Sequence, residues 1–371
     1  MVTRTRDRRL IIVIVFPASF DLMPLMRQAR LKAPDDHEVA YYHVISRVVN
    51  REFVLGEEER EQFVEMMRCY EHFSGVRVLT YCVMSNHFHL LLAVPRRPDA
   101  LPDDRALLAR AKAIFSPQEH GTLRWKLEHW HKTGAVAEAE ALRAKVCGRM
   151  WDLGLYMKGL KQRFGGWFNR RRGRRGTLWE ERFKSVLVEG GEALAVIAAY
   201  IDLNPVRAGI VRDPKDWRWS GYGAALGGVR KAGAGLCEVM RLHRGTETGE
   251  KEALAAYRAF VYEAAEERAS GANAMRGRRG AKAEAVAGVK SAGGKLSRAE
   301  LLRCRVRHFA DGAVLGTKKF VEAVFRKERH RFGARRKTGA RAVAGLDGMC
   351  ALRDLKTDVH SPTGTPPKVA K

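Results

Sequence analysis

Hydrophobic residues in the first third of the chain follow two different spacings. Val39–Arg47 (VAYYHVISR) is rich in β-branched and aromatic residues, which predicts a strand. Glu57–Phe73 carries apolar residues three or four positions apart, which predicts a helix. Two apolar runs follow, Val78–Met84 and Leu90–Val94, and the turn signal Ser85-Asn86 between them predicts two neighbouring strands. The predicted order is therefore strand, helix, strand, strand.

The same spacings return after a long, charged segment, Leu101–Met150, which predicts a helical insertion at about 101–150. Leu153–Phe168 continues the helical pattern, and Phe183–Glu189 reads as another strand. Ala193–Leu203 predicts a helix that ends before Pro205, because a residue preceding proline disfavours the helical conformation. The order βαββαβ plus a final helix predicts a ferredoxin-like α+β sandwich, an antiparallel sheet with helices packed on one side.

The remainder predicts a basic and mainly helical extension. Gly223–Gly235 is glycine-rich and predicts a loop, Glu250–Arg268 predicts a helix, and Ala269–Lys295 predicts a flexible basic linker. Two amphipathic stretches follow, Ser297–Phe309 and Thr317–Arg329. In the first of these, Ser297 and Glu300 have the spacing of a capping box.

These patterns divide the chain into five parts. We predict an N-terminal extension at 1–36 without a role in the fold, a main domain at 37–225, and a helical segment with linker at 226–295. A small helical accessory domain, with DNA binding as one interpretation, is predicted at 296–345, and a disordered tail at 346–371. Leu10–Phe16 loosely resembles a signal peptide but is too short to span a bilayer.

The charge of the chain changes the functional picture. Lys and Arg number 68 and Asp and Glu number 42, so the formal net charge is +26. Such an excess favours a polyanionic partner, most often nucleic acid, although an anionic membrane surface or solvated basic tails are alternatives. The six cysteines contain no C-x-x-C pair, which argues against a structural zinc site or a disulfide framework and fits a reducing cytoplasm.

Two histidines stand where the central apolar runs meet. His87 and His89 are two positions apart on a predicted strand, so their side chains share one face. Two adjacent imidazoles can chelate a divalent metal. Two ordinary histidines at a strand edge are the alternative interpretation.

Further candidate residues lie later in the chain. Asn169–Gly176 (NRRRGRRG) is densely cationic and lies beside aromatic residues, which suits stacking on unpaired bases, although a solvated charged surface is the alternative. Tyr200 and Asn204 stand four apart and share a helix face if the last turn holds. A half-buried core tyrosine and a helix end before Pro205 are the alternatives for these two.

Three segments together resemble a known family. SNHFHLLL around His87, GTLWEERFKSVLVE (Gly176–Glu189) and AYIDLNPVRAGIV (Ala199–Val211) are similar to the single-tyrosine HUH transposases. The subgroup that they resemble most is the REP-associated tyrosine transposases, relatives of the transposases of the smallest insertion sequences. The resemblance covers roughly Val39–Tyr222.

The resemblance implies roles for individual residues. His87 and His89 match the histidines that hold Mg²⁺ or Mn²⁺, and Tyr200 matches the nucleophile. Asn204 falls where the insertion-sequence relatives carry a glutamine that completes the metal site, so the resemblance implies a metal ligand, direct or through water. The expected contacts to the DNA backbone come from a set of arginines: Arg170, Arg171, Arg172, Arg174 and Arg175.

The resemblance also implies a reaction and partners. The tyrosine attacks a phosphate of single-stranded or hairpin DNA, which leaves a 5′-phosphotyrosine and a free 3′-OH that can rejoin strands. The expected protein is cytoplasmic, does not contact a membrane, and acts as a monomer or homodimer. The alternatives are a nucleic-acid-binding regulator that kept only the fold, and a metal-dependent hydrolase that uses His87, His89 and water without a covalent intermediate.

Overall fold

The structure is a computed structural model of the 371-residue chain. It describes residues 30–34, 36–247, 249–266, 309, 312–344 and 346–353. Most of the predicted N-terminal extension, the predicted linker Ala269–Lys295 and the capping box at Ser297 lie outside the described residues.

One sheet contains all the described strands, in the order β2-β3-β1-β4-β5-β7-β6. The strands are β1 Val39–Arg47, β2 Arg77–Val83, β3 His87–Pro95, β4 Lys184–Val188, β5 Val314–Thr317, β6 Arg341–Ala342 and β7 Met349–Leu352. The helices are α1 Glu57–Ser74, α2 Asp104–Ala111, α3 Pro117–Lys132, α4 Val136–Cys147, α5 Leu153–Arg171, α6 Glu192–Asp202, α7 Asn204–Arg207, α8 Gly221–Leu226, α9 Arg230–Arg244, α10 Glu250–Glu266 and α11 Lys318–Lys327.

The first four strands confirm the ferredoxin-like α+β prediction. β3 pairs antiparallel with β2 and β1, and β1 pairs antiparallel with β4. This is the order that the βαββαβ unit gives when α1 and α5 are its two crossover helices. The predicted insertion is helical and consists of α2, α3 and α4.

Helices cover both faces of this sheet, whereas the prediction placed them on one side. On one face, the ring of Phe88 on β3 lies 4.5 Å from Phe63 of α1, which also contacts Phe164 of α5. On the opposite face, α6 packs against β2, β3 and β5. Every residue of Ala193–Asp202 is buried. A helix that is apolar on all sides needs cover on all sides, so α6 lies between the sheet and further helices.

The prediction of a loop at the glycine-rich segment Gly223–Gly235 is wrong. The segment contains the end of α8 and the start of α9. A Cβ atom at Gly235 would lie only 2.3 Å from the carbonyl oxygen of Leu79 on β2. The glycine therefore permits close approach of α9 to the sheet rather than a turn. Leu236, Val239 and Met240 are buried along the same helix.

The C-terminal extension joins the sheet, so the prediction of a separate helical domain at 296–345 is wrong for its described residues. β5 pairs parallel with β4, and β7 pairs antiparallel with β5. β7 also lies within 346–371, where a disordered tail was predicted. The edge of β4 would expose unpaired backbone groups, and β5 supplies their partners. α11 confirms the helical part of Thr317–Arg329, with the Thr317 hydroxyl accepting from the Phe320 amide.

A buried carboxylate fastens α6 to its surroundings. The Asp202 side chain accepts hydrogen bonds from the Thr80 hydroxyl at 3.0 Å, the Tyr222 amide at 3.1 Å and the Tyr257 hydroxyl at 2.5 Å. Burial raises the pKa of this carboxyl to about 7, although the three hydrogen bonds favour its charged form. Asp202 thus links β2, α6, α8 and α10.

Among the described helices, none combines the length and the hydrophobicity that a membrane crossing requires.

We predict opposite effects for two glycine-to-alanine substitutions. Gly235→Ala forces a methyl group against the backbone of Leu79 and is expected to lower the free energy of unfolding by about 1–3 kcal/mol. Gly121→Ala, in α3, meets no atom within 4 Å and is expected to raise it by up to about 1 kcal/mol through helix propensity. Urea unfolding measures both values. Equal effects of the two substitutions would contradict the close approach of α9.

A second prediction concerns Asp202→Asn, which removes a titrating group but keeps its shape. The folded-state pKa of about 7 lies above the ordinary value of 3.8, so the folded state binds more protons between these values. The stability of wild type relative to the variant should therefore be highest below 3.8 and fall as the pH rises towards 7, by about 1.4 kcal/mol per pH unit. Thermal unfolding across this pH range provides the measurement.

Asp213→Asn serves as the control with the opposite sign. Burial raises the pKa of Asp213, but hydrogen bonds from Tyr262 and Lys215 lower it by a larger amount. The net pKa therefore lies below its ordinary value. The stability that this carboxylate contributes is present above its ordinary pKa and is lost as the pH falls through the folded-state value. Parallel pH trends for the two asparagine variants would show that the environment of Asp202 is wrongly described.

Candidate active site

The register of β1 and β3 places three histidines on one face of the sheet. Ile45 pairs with His89 and Arg47 pairs with His87, so His43, two residues before Ile45, lies diagonally across from His89. The same alternation directs Phe88 to the other face, as predicted. His87 and His89 share a face as predicted, with ring centroids 5.2 Å apart. His43 is a member of this group that the sequence analysis did not identify.

A chain of hydrogen bonds links His43 to its surroundings. Nδ1 of His43 lies 2.7 Å from the carbonyl oxygen of Phe309, and Nε2 of His43 lies 2.9 Å from Nδ1 of His89. His43 is fully buried, and His89 is 5% exposed. The two rings also stack at an interplanar angle of 18°.

The environment keeps both rings neutral. Burial lowers the pKa of His43 to about 4; the hydrogen bond to Phe309 opposes this shift, and the charge of Arg207 adds to it. Burial also lowers the pKa of His89 well below its usual range, and the charges of His43, His87, Arg207 and Arg47 act in the same direction. Neutral imidazole is the form that binds a metal or accepts a proton.

His87 lies at the start of β3 and is half-buried. Its Nδ1 lies 2.7 Å from Oδ1 of Asn86, whose Nδ2 donates to the carbonyl of Arg51 at 2.9 Å. Because an amide oxygen only accepts, Nδ1 of His87 carries the proton in this bond; in the neutral form of the ring, the unprotonated nitrogen is Nε2. The turn Ser85-Asn86, predicted from its residue types, thereby also orients a histidine.

Tyr200 reaches this face from α6. Its ring centroid lies 6.3 Å from that of His89 and 6.2 Å from that of His43. The ring of Phe309 packs edge-on against it at 5.0 Å, and Tyr200 is only 3% exposed. The structure therefore brings together the candidate nucleophile and the candidate metal ligand His89, and it covers the tyrosine.

Arg207 also contacts Tyr200. Its guanidinium carbon lies 3.9 Å from the centroid of the Tyr200 ring, a cation–π contact. Nη2 of Arg207 also donates to the Tyr200 carbonyl at 2.8 Å and to Oδ1 of Asn204 at 2.6 Å. Arg207 belongs to the NPVRAG run, which the sequence analysis used for the resemblance but to which it gave no role.

Asn204 contributes to the end of α6 in this structure. Its Nδ2 donates to the Ile201 carbonyl at 3.1 Å, while its Oδ1 accepts from Arg207. Both ends of the amide thus have partners within the segment between α6 and α7, as in the alternative interpretation of a helix end. The role of Asn204 as a metal ligand stays a prediction.

The protein could supply only some of the ligands of a metal ion at this site. Within the described ranges, no cluster of three or more His, Cys, Asp or Glu side chains could hold a metal ion. His87 and His89 supply two imidazoles, and Mg²⁺ or Mn²⁺ commonly takes its other ligands from water and substrate phosphates. The residues present therefore fit a metal whose coordination the substrate completes.

The cationic loop lies at the end of the sheet where β3 begins with His87. The backbone of residues 178–180 bonds to the end of β1, where the Val49 amide donates to Leu178 and the Glu180 amide donates to Arg47, each at 2.9 Å. Arg47 is the cross-strand partner of His87. The loop that precedes residue 178 is therefore close in space to the histidines.

The five arginines of this loop are not equivalent. Arg171 pairs with Glu58 at 2.6 Å, and Arg172 pairs with the buried Glu59. Arg174 lies over the ring of Phe168 and is half-buried, whereas Arg170 and Arg175 are exposed. Two of the predicted DNA contacts therefore already neutralise carboxylates of α1.

Comparison with known proteins gives two findings and one negative result. A solved structure of a REP-associated tyrosine transposase bound to a REP hairpin is similar, with 13% identity and a TM-score of 0.34, over 54% of this chain and 86% of that chain. No curated protein matches the sequence at a significant level.

The other finding is a match to a family model, that of the IS200-like transposases, over residues 37–100. These residues span β1, α1, β2 and β3 and include His43, His87 and His89. Tyr200, Asn204 and the arginine loop lie outside the matched segment. Residues 37–100 of this chain are thus similar to the family of IS200-like transposases, and they carry the histidines of the site.

Proposed function

We propose that the chain is a transposase-like single-stranded DNA endonuclease and strand transferase of the REP-associated tyrosine transposase type. The observation that supports this most is the approach of Tyr200 to His89, with ring centroids 6.3 Å apart on one face of the sheet. Tyr200 lies 100 residues after the end of the family-matched segment, so chain folding alone brings the two together.

In the proposed reaction, the oxygen of the Tyr200 side chain attacks the scissile phosphorus. A Tyr–O–P bond forms to the 5′ side of the DNA, the P–O3′ bond breaks, and the 3′ oxygen takes up a proton while the phenol loses one. The reverse attack by a 3′-OH restores the tyrosine and joins strands. No nucleotide cofactor enters this balance.

We propose that His87 and His89 hold Mg²⁺ or Mn²⁺, with Asn204 as a further ligand only if its bond to Arg207 is exchanged. The metal would polarise the phosphoryl oxygens and take up negative charge as it develops. The chain itself contributes the two oriented imidazoles and the placement of the phenol. Because one copy supplies all of these groups, the proposed chemistry needs no second copy, and both monomer and homodimer are compatible with it.

We propose that single-stranded or hairpin DNA reaches the site along the edge where β3 begins. Arg170, in the last turn of α5, and Arg175, on the loop that follows, are exposed at this end of the sheet, and cations there would bind the phosphate backbone. The formal net charge of +26 supports the same class of partner. This path would bring a phosphate towards His87, the half-buried histidine of the site.

One observation favours a second candidate, a DNA-binding regulator without cleavage activity. Tyr200 is 3% exposed and lies under the ring of Phe309, so a phosphate cannot reach it in this arrangement. A regulator would bind structured DNA without metal and would form no adduct. Comparison of wild type with Phe309→Ala separates the two, since a covered nucleophile would gain reactivity when the ring is removed.

The central prediction is a covalent DNA adduct that requires Tyr200. Incubation of the full chain with a library of structured single-stranded DNA and Mn²⁺ should give a protein band shifted on a denaturing gel. Tyr200→Phe removes only the attacking oxygen and should abolish the shifted band. The control variant Tyr41→Phe changes a tyrosine at the other end of β1, on the same face of the sheet. It should retain the shifted band.

Sequencing the attached DNA would identify both the substrate and the cleavage position. An adduct that persists in Tyr200→Phe would contradict the proposed nucleophile. Tight binding without any adduct, in wild type and in Phe309→Ala, would favour the regulator.

A further prediction concerns the arginine loop. Replacing Arg170 and Arg175 by glutamine should weaken single-stranded DNA binding and reduce the slope of log K against log salt by about 0.7 per lost phosphate contact, about 1.4 in total. The matched control replaces Arg96 and Arg97, which are also exposed but follow the opposite end of β3. Fluorescence anisotropy at several salt concentrations measures the slope. Equal slopes for the two double variants would argue against this edge as the DNA path.

A further inference from the structure

His43 is the most deeply buried member of the histidine group, and neither the proposed chemistry nor the resemblance uses it. It lies on β1, fully buried, between a backbone carbonyl and His89. We infer that His43 is a positioning residue that holds His89 in the tautomer whose Nε2 is unprotonated and faces away from β1.

The first step rests on the carbonyl of Phe309. A carbonyl oxygen only accepts hydrogen bonds, so Nδ1 of His43, 2.7 Å away, must carry the proton. His43 is fully buried and its hydrogen-bond partners are a carbonyl and a second imidazole, an environment that favours the neutral ring. A neutral imidazole with a proton on Nδ1 has an unprotonated Nε2, which accepts.

The second step transfers this direction to His89. Nε2 of His43 accepts, so Nδ1 of His89, at 2.9 Å, must donate. The one proton of neutral His89 is then on Nδ1, and its Nε2 carries the lone pair. The three groups form a directed chain: His89 donates to His43, and His43 donates to Phe309.

The result matches the state of His87. His87 donates from Nδ1 to Asn86, so the neutral form of His87 likewise has its unprotonated nitrogen at Nε2. Two neighbouring imidazoles are thus fixed in the same tautomer by different partners, one by a turn and one by a buried histidine. Such partners orient metal-binding histidines and set which nitrogen binds.

A purely structural role for His43 is the competing explanation. It predicts that replacement lowers stability but leaves the tautomer of His89 unchanged. Positioning predicts a change in the tautomer that depends on whether the new side chain can accept at one end and donate at the other. The conclusion about the tautomer stands on the hydrogen bonds and the burial of the two rings, whereas its consequence for DNA cleavage rests on the proposed function.

Glutamine and phenylalanine at position 43 separate the two explanations. The amide of His43→Gln offers an oxygen acceptor and an N–H donor at the two ends of a planar group, so it can replace both hydrogen bonds. His43→Phe fills the space without either. The measurement is long-range ¹H–¹⁵N NMR of the ¹⁵N-histidine-labelled full chain, without metal, at pH 7.5, with His89→Asn used to assign the His89 signals.

Wild type and His43→Gln should show His89 protonated at Nδ1 only, whereas His43→Phe should show a mixture of both tautomers. Wild-type His89 protonated at Nε2 would overturn the inference without any variant. An unchanged His89 tautomer in folded His43→Phe would overturn it as well. The wild-type spectrum keeps the test decisive even if His43→Phe does not fold.

Binding of Mn²⁺, followed by calorimetry without DNA, gives the second readout. Loss of a hydrogen-bonded partner behind a metal-binding histidine commonly weakens metal binding by about 10- to 100-fold. His43→Phe should show a decrease of this size, and His43→Gln should stay close to wild type. Equal decreases in both variants would contradict positioning by hydrogen bonds. If the tautomer is as inferred and no DNA adduct forms in any protein, the proposed function fails while the role of His43 stands.

Discussion

The burial of α6 against the sheet is the constraint on which the rest of the structure depends. Ala193–Asp202 is covered on every side, so the helix cannot rotate without exposing apolar surface or burying charge elsewhere. Asp202 fixes its rotation and height further through hydrogen bonds to β2, α8 and α10. Because Tyr200 is two residues earlier, the same constraint determines where the phenol meets the histidines.

The site that results is ordered but enclosed. His43, His89 and Tyr200 lie in a low-dielectric environment where hydrogen bonds are strong and directional, and where a charge on either imidazole is disfavoured. This favours neutral, oriented imidazoles, the form that the proposed metal site would require. The same packing, with Phe309 against Tyr200, separates the phenol from solvent. Precise placement of the phenol and access to it therefore compete at this position, and the proposed cleavage would require movement of the Phe309 side chain.

Local patterns were sufficient for the elements whose partners lie nearby in the sequence. β1, α1, β2, β3 and α6 appear within a few residues of their predicted bounds, since each has a local signal of its own, either a helical period or a run of β-branched and apolar residues. The addition of β5 and β7 to the sheet could not be predicted, because strands of four residues carry almost no periodic signal and their pairing with β4 is long-range. The start of α9 was not predicted as a helix because it is rich in glycine. Gly235 permits close contact with β2, and this contact exists only in the folded sheet.

The candidate site shows the same division between local and long-range information. His87 and His89 could be assigned to one face from their spacing alone, but His43 joins them only through the register of β1 on β3, which the sequence does not state. The arginine loop shows the opposite case. The number of arginines in its sequence overstates the positive charge that is available to a ligand. Arg171 and Arg172 are already paired with Glu58 and Glu59 of α1. Cationic residues bind a polyanion best where the fold leaves them without carboxylate partners, so the distribution of carboxylates, as much as the total of arginines, determines which end of the sheet can accept a polyanion.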